Sequence, residues 1–175
     1  MAGWTPQCVQ KRRKSVNFNR GYMDLWAVLC ALVITVALTA IPGIAGAESA
    51  VNADRKGVAI KGYDPVAYFT MSEPVKGDKD HVVSWMGAAW RFASAKNRDL
   101  FEKDPEKYAP RFGGYCAFGV ANNYLVKIDP RAWTVYEGRL YLNYSLKVRE
   151  QWKEDIPGNI RKADANWPGL IGMKK

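Results

Sequence analysis

Residues 90–116, WRFASAKNRDLFEKDPEKYAPRFGGYC, hold the pattern from which the rest of the chain is read. Trp90-Arg91-Phe92 alternates apolar, polar, apolar, the period of a half-buried strand. Ser94 suits a helix N-cap, because its hydroxyl can accept from a backbone N–H that has no partner inside the first turn. A helix over Ala95 to Lys103 is therefore predicted. Asp104-Pro105-Glu106 starts a second short helix: the aspartate caps it, the proline ring arrives with a helical φ, and the glutamate faces the positive end of the dipole. Gly113-Gly114 breaks that helix, and Cys116 follows where another can begin.

Working upstream, Gly57 to Ile60 can form a short strand, and Gly62-Tyr63-Asp64-Pro65 repeats the aspartate cap with proline behind it. Val66, Tyr68 and Phe69 give that helix an apolar face, and Pro74 to Asp80 reads as a polar loop. His81 to Met86 and Trp90 to Phe92 should pair across Gly87-Ala88, by a turn slightly longer than the tightest kind. Downstream, Trp133 to Tyr136 and Arg139 to Tyr144 are separated by Glu137-Gly138, a strong two-residue hairpin signal. Ser145 caps a helix to Lys153. Asp155-Ile156-Pro157 starts another, which Pro168-Gly169 should stop after Trp167. Asp129-Pro130 is a third Asp-Pro pair, read as another helix or turn start and not as a sequence repeat.

These residues carry a resemblance. Phe92-Ala93-Ser94, Asn97, Phe101 and Asp104-Pro105-Glu106-Lys107-Tyr108 resemble the second half of a YHS domain, a small α+β module, and Asp64-Pro65-Val66 resembles its opening. The likeness runs from Gly57 to Cys116. In many members of that family three cysteines of these motifs bind a metal. The matching positions here hold Ala67, Ala93 and Asn97, so the family's soft-metal site cannot form from them. Gly62 to Phe69, Gly113 to Ala117 and Leu140 to Tyr144 together resemble an exported bacterial subgroup of YHS-domain proteins. The fold expected is α+β: one domain over 57–175, with a small antiparallel sheet, surrounding short helices, a YHS-like core, and a C-terminal hairpin and helices.

The first residues explain part of the 175-residue length. Lys11, Arg12, Arg13, Lys14 and Arg20 precede a nearly continuous apolar run from Leu25 to Ala40, and Ala45-Gly46-Ala47 is a small-x-small cleavage signature. That order describes an export signal over 1–47, leading to the periplasm or outside; left uncleaved, it would anchor the chain in the membrane. Residues 48–56 are small and polar, a flexible lead-in. The formal charge of +9 falls once the basic N-terminus is removed, and the remaining positives are interspersed with acids as on a solvated surface. Export and that spread argue against nucleic acid as a partner.

Cys8 and Cys30 lie in the signal, so Cys116 is the one thiol of the mature chain and no internal disulfide can close. In the first turn of a helix its pKa would fall, giving a metal ligand or a redox nucleophile; buried, it is a small apolar residue. His81 is the sole histidine. A meeting of His81 with Cys116 could hold copper or zinc, or activate the sulfur. Tyr63 and Asp64 flank the first helix, and Tyr115, Asn143, Tyr141 and Trp133 could line a small-ligand cavity or simply pack. No phosphate loop, nucleophile elbow, haem motif or zinc-protease motif is present, so the chain reads as a binding module before an enzyme. Three functions stay open: an exported binding module for a metal ion or small molecule, a thiol-dependent redox protein, and a structural or partner-binding domain without a ligand.

Overall fold

The computed structural model describes residues 50–172; the expected export signal lies outside the described residues. Among them stand six α-helices and two small antiparallel sheets, an α+β fold. After a 3-10 turn at Ile60–Gly62 come α1 (Ala67–Thr70), the hairpin β1 (Asp78–Trp85) and β2 (Ala88–Phe92), α2 (Ala95–Lys103) and α3 (Pro105–Tyr108). After a second 3-10 turn at Phe112–Gly114 the same order returns: α4 (Ala117–Ala121), the hairpin β3 (Asp129–Tyr136) and β4 (Arg139–Asn143), α5 (Leu146–Lys153) and α6 (Ile156–Leu170). No helix among the described residues is long and apolar enough to cross a membrane.

Local chemistry accounts for the elements in both passes. Ser94 Oγ accepts the Asn97 N–H at 3.2 Å and Ser145 Oγ the Val148 N–H at 3.2 Å, capping α2 and α5. Asp104 and Asp155 cap α3 and α6 through the N–H groups of Lys107 at 3.2 Å and Gly158 at 2.9 Å. Both capping aspartates sit at φ −149°, with ψ of 76° and 74°. Replacing Ser145 by alanine should cost about 1 kcal/mol, read as a shift in the urea midpoint at unchanged slope; a loss under about 0.3 kcal/mol would mean the cap is idle.

The hairpins also match. Met86-Gly87 turns with φ of 48° and 75°, Glu137-Gly138 with 48° and 70°, the doubly positive pair of a type I′ turn. The first turn therefore differs from the expectation: it has two residues, Met86 stands in it, and Ala88 already belongs to β2. Each hairpin slips register near its start, between Asp78 and Val82 and between Asp129 and Trp133. Asp129-Pro130 begins β3 and no helix, and its carboxylate accepts the Arg131 N–H as Asp78 accepts that of Asp80.

Other expectations need correction. The sheet is two separate hairpins, because the open edges of β2 and β4 are met by loops: Ala59 N–H bonds Ala89 O at 3.0 Å, and Arg111 N–H bonds Leu140 O at 2.8 Å. Residues 50–56 are not a loose lead-in from Val51 onward. Val51 is fully buried, and Asn52 donates its backbone N–H to Gly113 O and its amide to Gly114 O, both at 2.9 Å. A Cβ on Gly113 would collide with the Ala50 carbonyl, so what approaches that glycine closely is the chain's own N-terminal segment. Pro168 does not stop α6, which runs on to Leu170; placed in the last turn, it removes one helical bond only.

The core has two centres. In one, Trp90 stacks on Phe101 at 5.4 Å between centroids; in the other, Tyr141 packs on Trp152 at 5.4 Å. Trp90, Phe101 and Trp152 are fully buried. The two centres adjoin: Cys116, Leu140 and Leu142 from the second pass belong to the first cluster, and Phe118 packs against both.

Candidate functional site

Two buried clusters stand at the places where the sequence drew attention. The first is built on Asp64, which is fully buried. At the entrance to α1 its Oδ1 accepts the N–H groups of Val66 at 2.8 Å and Ala67 at 3.3 Å. Its Oδ2 accepts the Ala93 N–H at 2.8 Å and Asn97 Nδ2 at 2.7 Å. Four donors fill the acceptor capacity of one carboxylate. Asp64, carried as a candidate ligand-binding residue, thus has no free lone pair to offer and ties α1, β2 and α2 together. Ala67, Ala93 and Asn97, the three positions where sulfur donors were missed, are the residues that surround it.

The second cluster is built on Cys116, 1% exposed, at the N-cap of α4. Its sulfur accepts the N–H groups of Gly119 at 3.4 Å and Tyr144 at 3.3 Å, and lies 3.7 Å from Asn143 Oδ1. Asn143 is fully buried; its Oδ1 also accepts the Phe118 N–H at 3.3 Å, while its Nδ2 has no partner among the described residues. Over the sulfur lies a cavity of about 180 Å³, lined by Phe118, Gly119, Tyr124, Val126, Tyr144, Val148 and Gln151 as well as Cys116. Tyr124 and Tyr144 are exposed and form its rim. No charged side chain lines it.

Burial pushes the Cys116 thiol up, and the N–H groups of Gly119, Tyr144 and Phe118 only partly offset this. The expected helix-start activation is therefore outweighed by desolvation, and the sulfur is a thiol at neutral pH. Iodoacetamide at pH 7.5 should label Cys116 at least about tenfold more slowly in the folded protein than in urea, followed at its peptide by mass spectrometry. Folding raises this group, so the unfolded chain releases the proton first: the stability it supports is intact below about pH 8.5 and declines as pH rises past that value. Cys116→Ser should flatten the decline.

The other candidates do not gather at the sulfur. His81 lies half-buried on β1, and its Nδ1 has no partner among the described residues. Among the described residues the hydrogen bonds of the sulfur come from the second pass of the chain, and His81 is not one of the residues lining its cavity. Among the described residues no group of three or more His, Cys, Asp or Glu is placed to hold a metal ion. Tyr63 lies under the Lys76 ammonium at 4.7 Å, and Tyr115 packs 6.2 Å from Trp167. A larger recess of about 480 Å³ runs past Trp85, Phe112 and Trp167, but its arginines are engaged, Arg111 with Asp164 and Arg139 with the Glu106 carbonyl.

Residues 66–112 match the family model of the YHS domain. The chain contains a YHS domain. The match begins two residues after Asp64 and stops at Phe112, so the YHS domain takes in Ala67, Ala93 and Asn97 and leaves the Cys116 cavity outside it. No curated protein and no solved structure matches the chain. Sequence reasoning found Cys116 and Asn143 but missed Gly119, Tyr124, Val126, Tyr144, Val148 and Gln151. The signal that could have found them is a comparison of the chain with itself: Gly62-Tyr63-Asp64 against Gly114-Tyr115-Cys116, and Ser94-Ala95-Lys96 against Ser145-Leu146-Lys147.

Proposed function

We propose that this protein is an exported YHS-domain binding module that takes a small molecule in the cavity over Cys116. Export rests on the basic, apolar, small-residue order of residues 1–47. The binding role rests on the cavity itself, a concave, mainly apolar space of about 180 Å³ with a few polar groups at its floor and rim. Its volume is near the 150 Å³ or so that holds a benzene ring in an engineered protein cavity. A small molecule fits it better than a metal ion, because copper(I) or zinc needs further soft or imidazole donors beside one sulfur.

Titration with 4-fluorophenol, followed by ¹⁹F NMR, tests the reading. Binding at about 1 mM or tighter is expected. Val148→Phe, which fills the cavity from α5, should abolish it without unfolding the protein. Binding that survives Val148→Phe, or no binding by the native protein, would overturn the proposal, and tight uptake of copper(I) lost in Cys116→Ser would put a metal in its place.

A further inference from the structure

The two passes of the chain agree in backbone detail that sequence does not require. Ile60-Lys61-Gly62 has φ of 40°, 57° and 72°; Phe112-Gly113-Gly114 has 56°, 58° and 78°. Three consecutive residues at positive φ are uncommon, and non-glycine residues seldom enter that region at all. Two residues after each turn an N–H reaches back across the following loop, from Asp64 to Val75 O at 2.9 Å and from Cys116 to Val126 O at 3.0 Å. The agreement extends through the edge bonds, hairpin turns, register slips, serine and aspartate caps and aromatic stacks described above.

We infer that residues 112–159 are a second copy of the unit at 60–108, and that the cavity over Cys116 is the second copy's counterpart of the position that Asp64 and Asn97 close in the first, left open for a small neutral molecule. The ligand half of this inference rests on the function proposed above; the duplication does not.

The correspondence holds atom by atom. The Ala67 N–H donates to Asp64 Oδ1 at 3.3 Å, and the Gly119 N–H to Cys116 Sγ at 3.4 Å. The Ala93 N–H donates to Asp64 Oδ2 at 2.8 Å, and the Tyr144 N–H to Cys116 Sγ at 3.3 Å. A thiol offers fewer acceptor sites than a carboxylate, and the second copy supplies the missing one from Asn143, whose Oδ1 takes the Phe118 N–H where Asp64 Oδ1 takes that of Val66. One partner has no counterpart. Asn97 completes the first cluster through its amide at 2.7 Å, but the second copy has Val148 there, which ends in two methyl groups. The cavity lies beside those methyls. The polar residues that line it are Cys116, Gln151, Tyr124 and Tyr144, none of them charged, so no side chain there compensates a charge and a neutral occupant suits it.

Exchanging the two pairs tests this. Cys116→Asp alone buries a carboxylate that lacks its fourth donor and should lower Tm by about 10 °C or more. Adding Val148→Asn supplies the donor, so the double variant should recover at least half of that loss and should no longer bind 4-fluorophenol. In reverse, Asn97→Val should be strongly destabilising alone and partly rescued by Asp64→Cys. The reverse pair keeps the test valid if Cys116→Asp does not fold. Simple additivity in both exchanges would overturn the duplication. Rescue with retained 4-fluorophenol binding would overturn the assignment of the cavity as the open counterpart. Rescue in a protein whose native form binds no 4-fluorophenol would support the duplication and defeat only its ligand half and the proposed function with it.

Discussion

Asp64→Ala is expected to leave the protein largely unfolded at room temperature, with a loss of at least about 4 kcal/mol against a total that for such domains lies near 5–15 kcal/mol. The cause is what the substitution strands. Three backbone N–H groups, from Val66, Ala67 and Ala93, and the Asn97 amide all point at one carboxylate in a fully buried position. The bonds from Val66, Ala67 and Asn97 are buried and that from Ala93 partly so; each buried donor without an acceptor costs about 1–3 kcal/mol, with some relaxation making the total less than the sum. Asp64→Asn is the sharper test, because it preserves size and loses one acceptor. Its new NH₂ must face either the pair at Oδ1 or the pair at Oδ2, donor against donor, so it should be nearly as damaging as alanine. Urea denaturation by circular dichroism reads both; an asparagine variant within about 1 kcal/mol of the native protein would remove the cluster from the list of things that hold the fold together.

That cluster also shows where the sequence stopped being readable. Ser94, Asp104, Ser145 and the Glu137-Gly138 turn were legible, because each acts on residues within the next few positions and its chemistry is local. Asp64 was legible as a cap and opaque as a hub. Its bonds to Ala93 and Asn97 span 29 and 33 positions, and no local pattern encodes them. Cys116 was recognised as the one cysteine beyond the expected export signal, yet its surroundings come from Tyr144 and Asn143, 28 and 27 positions on. The second pass was missed for a related reason. Packing conserves the site of a ring and not its identity: Trp90 and Phe101 in one core are Tyr141 and Trp152 in the other, so the apolar residues conceal the repeat that the glycines, serines and aspartates preserve. The family positions Ala67, Ala93 and Asn97 were opaque in the same way, since they meet only in the fold, around the Asp64 carboxylate.

Trp152→Ala should cost about 3–5 kcal/mol, the usual range for deleting a fully buried large aromatic ring. Trp152 is fully buried, packs on Tyr141 at 5.4 Å and joins α5 to the cluster that holds Ala163 of α6. Trp152→Phe should be far milder, below about 1.5 kcal/mol, because a ring remains to fill most of the volume. It also removes the indole N–H, which has no partner among the described residues, so part of the lost packing is offset by a buried donor no longer left unpaired. Phenylalanine already does this work in the first pass at Phe101. The alanine variant also asks whether the two passes unfold together. Leu140, Leu142 and Cys116 lie in the first cluster, and Phe118 packs against both, so a defect at Trp152 is shared by the whole described fold. One cooperative transition, shifted to lower urea at unchanged slope, is the expected trace. Two transitions, with only the later one at its native midpoint, would mean that the second pass melts by itself and that the shared residues do not couple the cores.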